Sequence, residues 1–122
     1  MRKVIVLLIL SCLFSASQIK AAHSITLTWT ASIDTSSTLG YNVYRGTTTG
    51  AESSTAINSS PIDINCSGST CTYNDTAVVA GTTYFYVVKA VNTSTGMMSV
   101  PSNEASATVP IAAPTGLNVI AQ

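Results

Sequence analysis

The chain has very few groups that could carry out chemistry. Its 122 residues include one histidine, three cysteines and five acidic residues, and charged residues make up 8% of the sequence. No basic cluster is present to bind phosphates, which argues against nucleic-acid binding. The histidine, His23, lies close to the start of the predicted mature chain, whereas nucleophilic catalysis needs a base that is itself held in place. We therefore expect no enzyme activity, no catalytic residue and no cofactor.

The acidic residues are spread singly along the chain. Glycoside hydrolysis needs two carboxyl groups at a set separation, and the sequence indicates no such pair. Asp63, Asn65 and Asp75 could supply oxygen ligands to calcium, but an Asp-x-Asp-x-Asp run is missing. Acids and amides in turns commonly bond to nearby backbone. We therefore predict turn-capping roles for these three residues and no metal site.

A long hydrophobic run occurs at the start of the chain. Met1–Lys3 is basic, and the apolar run that follows is shorter than the roughly 20 residues that a membrane-spanning helix needs. This order, followed by small residues, is typical of a secretory signal peptide. We predict a signal peptide at residues 1–22, cleaved between positions 17 and 22, and a secreted or periplasmic protein without a membrane span. The alternative is a lipoprotein anchored through an acylated Cys12.

Two cysteines, Cys66 and Cys71, remain after removal of the signal peptide. An exported chain meets an oxidising compartment, where a disulfide is the expected state. A zinc site needs four ligands, and only two thiols lie near each other here. We therefore predict a local disulfide, which should stabilise the fold by about 2 kcal/mol because its loop is short.

Short alternating stretches separated by turn residues predict strands, and none of the sequence after residue 22 has a helical period. Ile25, Leu27 and Trp29 alternate with threonines, which predicts one buried and one exposed face. Further strands are expected near residues 40–46, 56–58, 84–92 and 103–109, and a hairpin or loop at Cys66–Cys71 leads into residues 72–74. This organisation indicates an all-β protein with two antiparallel sheets.

The segment from Val78 to Asn92 contains the pattern of a tyrosine corner. A hydrophobic residue, Val78, precedes Tyr84 by six positions, and Gly81 lies in a turn between them. In such a corner the tyrosine hydroxyl bonds to backbone a few residues upstream, which is a hallmark of Greek-key sandwiches. Three other stretches also match the pattern of strands in such a sandwich: Ile25–Trp29, Gly40–Gly46 and Pro101–Val109.

Together these residues resemble fibronectin type III domains, in the form found in exported bacterial proteins. The resemblance covers about residues 23–110 and implies an immunoglobulin-like β-sandwich with Greek-key connections. The predicted core residues are Trp29, Tyr41, Val78, Tyr84, Tyr86 and Val88. Alternation leaves Tyr44 and Phe85 facing outward, where they would either pack against each other across neighbouring strands or form a face that stacks on a sugar.

The resemblance departs at the first strand. Members of the family begin with a Pro-x-x-Leu-x-Val strand, but almost nothing lies here between the predicted signal peptide and Ile25. A similar pattern occurs at residues 113–119. Residues 111–122 are either a tail or first strand of an incomplete second module, or a segment that pairs with the sheet edge beside Ile25–Trp29 in a neighbouring chain.

The class of protein expected from this sequence is a non-catalytic exported module for adhesion, display or spacing at the cell exterior. Its expected partner is a protein or polysaccharide outside the cell. The alternatives are a carbohydrate- or polymer-binding module, and a subunit that self-associates by strand exchange through residues 112–122.

Overall fold

A computed structural model describes residues 22–34, 39–63, 66 and 69–122. This part of the chain contains six strands, namely β1 (Ile25–Thr30), β2 (Leu39–Gly46), β3 (Ile62–Asp63), β4 (Thr70–Asp75), β5 (Thr83–Asn92) and β6 (Ala105–Thr108). Residues 1–21 of the predicted signal peptide, which include Cys12, and Asn65 lie outside the described residues.

The strands form two antiparallel sheets. One contains β1 and β4, and the other contains four strands in the order β3-β2-β5-β6. Apolar side chains of the two-stranded sheet pack against a buried cluster contributed mainly by the larger sheet. This confirms the predicted all-β architecture with two antiparallel sheets, and the arrangement is consistent with a β-sandwich.

The alternation in β1 decides which of its faces is buried. Ile25, Leu27 and Trp29 are half-buried and pack against the core, whereas the intervening threonines are exposed. In the partner strand β4 the inward positions are Cys71, Tyr73 and Asp75. The register places Trp29 opposite Cys71 and Ile25 opposite Asp75.

The longest pairing joins β2 and β5, from Leu39 opposite Asn92 to Gly46 opposite Phe85. Gly40 allows β3 to lie close against β2, because a Cβ atom at this position would come within 2.8 Å of the Pro61 Cβ. The glycine therefore has a packing role in the strand, where its flexibility alone would weaken pairing.

The buried cluster at the centre of the molecule consists of Val43, Val78, Tyr84, Tyr86 and Val109. Tyr41 is also buried. Two residues expected in the core, Trp29 and Val88, are only half-buried. The reason is that both line an open groove between the two sheets.

The structure corrects two of the predicted strands. Residues 56–58 form no strand; the Ile57 amide donates to the Val43 carbonyl at 2.8 Å, and the Asn58 side chain accepts from the Val43 amide. The chain therefore follows the edge of β2 without a regular ladder, and the short strand comes later, at Ile62–Asp63. The last strand covers Ala105–Thr108 rather than residues 103–109.

The tyrosine corner has the geometry that the sequence predicted. The Val79 amide donates to the Tyr84 hydroxyl oxygen at 3.1 Å, and Tyr84 is buried. Gly81 adopts a φ of +77° in the turn between them, a conformation that side chains other than glycine rarely adopt. This bond fixes the entry of the chain into β5.

We predict that Tyr84→Phe destabilises the protein by about 1 kcal/mol, because the Val79 amide loses its protein acceptor. Tyr73→Phe is the matched control, since the Tyr73 hydroxyl makes only a 3.5 Å contact with the Ile57 carbonyl. Urea unfolding measures both free energies. Equal losses in the two variants would show that the corner bond contributes nothing beyond an ordinary tyrosine hydroxyl.

Candidate functional site

The charged side chain that is buried among the described residues is the carboxylate of Asp75, which is 3% exposed. Its Oδ2 atom accepts from Nη1 of Arg45 at 2.7 Å and from the Tyr86 hydroxyl at 2.9 Å. Its Oδ1 atom accepts from the Ala77 amide at 3.0 Å. Both carboxylate oxygens are therefore engaged by donors from the protein, as a buried charge requires.

These contacts connect the two sheets. Asp75 ends β4 in one sheet, whereas Arg45 and Tyr86 lie opposite each other on β2 and β5 of the other. The Arg45 guanidinium also donates to the Ala77 carbonyl and lies 5.0 Å from the centre of the Tyr84 ring. The arrangement is therefore a structural ion pair, reinforced by a cation–π contact.

The sequence prediction for Asp75 captured only part of this role. The bond to the Ala77 amide is the expected turn cap, but the bonds to Arg45 and Tyr86 were missed. A signal for them was present, because Cys71 and Tyr73 alternate with exposed residues and Asp75 continues the same inward face.

The pKa of Tyr86 is raised well above its ordinary value. Burial of the hydroxyl is the main cause, and its hydrogen bond to Asp75 adds to the effect. Both effects favour the neutral phenol over the phenolate. Tyr86 is thus held in its protonated form as a donor to Asp75.

A second polar cluster lies on the surface. It includes two acids, Glu104 and Glu52, for which the sequence indicated no pairing. Glu104 accepts from the Thr49 hydroxyl and the Gly50 amide, each at 2.6 Å. These two bonds lower the pKa of Glu104, and the nearby side chain of Glu52 acts in the same direction. The cluster therefore holds the β2–β3 loop against the segment that precedes β6.

The aromatic pair that was expected to face outward is largely covered. Tyr44 is 5% exposed, with its hydroxyl 3.2 Å from the Met98 sulfur and the Lys89 ammonium 5.0 Å from its ring centre. Phe85 is half-buried. The expectation that Tyr44 is exposed is wrong, because the loop after β5 folds back over it, with Val91 bridged to Met98. The sugar-stacking role itself stays a prediction.

An open groove of about 550 Å³ separates β1 from the segment before β6. One wall is Thr28–Thr30, the other is residues 99–103, and the lining includes Tyr41 and Val88. The Trp29 ring meets Tyr41 edge to face at 5.5 Å, and the Trp29 Nε1 atom is buried without a hydrogen-bond partner among the described residues.

The predicted disulfide between Cys66 and Cys71 is present, with Cα atoms 4.6 Å apart. Cys71 is 1% exposed, so the bridge ties the preceding loop to an inward position of β4. The described residues contain no group of three or more His, Cys, Asp or Glu side chains suited to a metal ion. Within the same residues, no helix is long and apolar enough to cross a membrane.

Within the part of the chain that the structure describes, these features define an all-β arrangement with a disulfide, a buried cross-sheet ion pair and a wide groove. Comparison with protein-family models gave no match, and comparison with curated proteins gave no relative either.

We predict that Asp75→Asn destabilises the protein by about 2 kcal/mol, because charge-assisted hydrogen bonds are among the stronger ones. Arg45 then lacks its counter-ion in a partly buried position. Asp34→Asn is the matched control, since Asp34 is exposed and should change the free energy of unfolding by less than about 0.5 kcal/mol. Equal effects in the two variants would contradict a cross-sheet role for Asp75.

The raised pKa of Tyr86 predicts a loss of stability in alkali. The stabilisation is fully present below the unfolded-state pKa, about 10, and is lost as pH rises from there toward the folded-state pKa. The wild-type free energy of unfolding should then fall faster than that of Tyr86→Phe, by up to about 1 kcal/mol per pH unit. Unfolding curves between pH 8 and 11.5 measure the difference in slope. The control Tyr73→Phe keeps the bond between Tyr86 and Asp75 and should keep the extra loss of stability that Tyr86 causes in alkali.

Proposed function

We propose that this chain is a non-catalytic exported β-sandwich module of the fibronectin type III class, used for adhesion, display or spacing at the cell exterior. The observation that carries the proposal is that polar side chains in the interior are engaged in structural hydrogen bonds. Asp75 bonds to Arg45 and Tyr86 of the other sheet, and Tyr84 bonds to backbone in the turn before β5. A fully bonded polar network fixes one packing of the two sheets, which suits a module that holds a neighbour at a distance.

The order of the strands supports the choice of class. In immunoglobulin-like sandwiches strand B pairs with E, and strand C pairs with F, which pairs with G. The pairs β1–β4, β2–β5 and β5–β6 follow the same order if β1 is strand B. The corner at Tyr84 lies at the start of β5, the position of strand F.

The Cys66–Cys71 bridge supports the proposed location, because disulfides persist in oxidising compartments outside the cytosol. It agrees with the interpretation of residues 1–22 as a signal peptide. A protein or polysaccharide outside the cell is the kind of partner that this location favours.

We predict that the protein is cleaved by a membrane-impermeant protease added to unbroken cells, and that Cys66 and Cys71 resist alkylation until they are reduced. Mass spectrometry of the alkylated protein counts the free thiols. The control Cys71→Ser leaves one alkylatable thiol, at Cys66. Protein that stays inside the cells with both cysteines alkylated would contradict export.

Attachment assays separate the uses that the proposal groups together. Beads coated with the purified protein should bind the extracellular surface in an adhesive role. In a spacing role the beads stay unbound, while a passenger fused after residue 122 becomes more accessible to antibody on cells. Hydrolysis of a polysaccharide or peptide by the purified protein would overturn the non-catalytic assignment.

A further inference from the structure

One edge of the two-stranded sheet has backbone groups that no described strand satisfies. The Ala31 amide donates to the Ser69 carbonyl at 2.9 Å, and this pair continues the β1–β4 register. Bonded and non-bonded pairs alternate along an antiparallel ladder. The backbone groups of Trp29 therefore face β4, and those of Thr28 face the opposite edge, where the described residues contribute no further strand.

The groove runs along this same edge. Thr28, Trp29 and Thr30 form one of its walls, and a smaller cavity of about 80 Å³ continues it past Leu27 toward Ala105. A strand added beside β1 would lie over this groove with alternate side chains pointing inward. Trp29 is half-buried, as expected when no strand lies beside β1 over the groove.

The same chain carries a terminal segment, residues 110–122, that forms no strand and packs little against the two sheets. All residues from 110 to 122 are exposed, including Leu117 at 95% and Val119 at 82%. Once paired as a strand, these two side chains would lie on one face and Asn118 on the other. Exposed apolar side chains in a row indicate an interaction site.

The position of this segment favours a second copy over its own sheet. Asp75 pairs with Ile25 and bonds to Tyr86, so the start of β1 lies at the same end of the sandwich as Val109, the residue after β6. An antiparallel partner, the commoner kind, must enter at the far end, near Thr30. That end is about 20 Å away along six residues, whereas residues 110–112 span about 10 Å.

We propose that residues 113–119 of one copy add to the β1 edge of a second copy, with Leu117 and Val119 entering the groove over Trp29. Strand addition gains affinity from main-chain hydrogen bonds and specificity from alternate side-chain pockets. The donated segment and the accepting edge are different surfaces, so the contact is head-to-tail and extends into chains of copies. This association is independent of the adhesion, display or spacing role.

Sedimentation equilibrium of the purified exported protein tests the association. We expect the average mass to rise with concentration from one chain toward two and more. In the double variant Leu117→Asp, Val119→Asp it should stay at one chain, with an unchanged circular dichroism spectrum because both residues are exposed. A wild-type protein that stays monomeric at millimolar concentration overturns the proposal.

A separate substitution tests the accepting edge, which is the free edge of β1. Thr28→Pro removes an amide that points away from β4, so the β1–β4 ladder is retained while the free edge is blocked. Thr28→Ala keeps the amide and is the matched control. We expect the proline variant to be monomeric and the alanine variant to associate as the wild type does.

Mixing the two blocked variants gives the sharpest test. The Thr28→Pro chain retains a donor segment, and the Leu117→Asp, Val119→Asp chain retains an accepting edge. Their mixture should form a one-to-one dimer that cannot extend, and the fluorescence of Trp29, the single tryptophan, should shift to shorter wavelength. Two monomeric variants that form no dimer when mixed would overturn the proposal. A second result would also overturn it: the Leu117→Asp, Val119→Asp variant is less stable than the wild type, while the wild type stays at the mass of one chain. The segment would then pack on its own molecule.

Discussion

The fold depends on how one buried carboxylate is neutralised. Asp75 lies at the end of β4, where an unpaired charge would be strongly unfavourable in the interior. Arg45 and Tyr86 can satisfy it only when the larger sheet lies directly against the smaller one. A buried ion pair adds little net stability compared with apolar packing, but removing one partner is costly. Its contribution is thus to penalise any other placement of the two sheets.

The tyrosine corner and the disulfide constrain the strands that contribute to this ion pair. Tyr84 fixes the start of β5 through the Val79 amide, and its ring lies beneath the Arg45 guanidinium. Cys71 anchors the loop before β4 at an inward position four residues before Asp75. The strands that contribute Asp75 and Tyr86 are therefore each held by a second, local constraint, which lets a chain with few charged residues keep one ion pair in register.

Local patterns in the sequence predicted the strands and faces that depend on neighbouring residues. The alternation around Leu27 and the turn before Tyr84 are of this kind. Properties set by distant segments were missed: the burial of Tyr44 depends on a loop more than fifty residues away at Met98, and the ion pair of Asp75 depends on the register of two sheets. Alternation tells which face of a strand a side chain lies on, and it gives no information on what covers that face.

Because alternation does not tell what covers a strand, the sequence also did not predict the open groove beside β1. This groove raises the question of how the protein protects the free edge of β1. Exposed edge strands are commonly protected by lysine, by proline or by a covering segment. Strand β1 has neither lysine nor proline, and its exposed positions are all threonine, which favours pairing. With 8% charged residues in the chain, charge is scarce as a means of protection. A covering segment is another such means, and residues 113–119 of a second copy would provide it in the association proposed above.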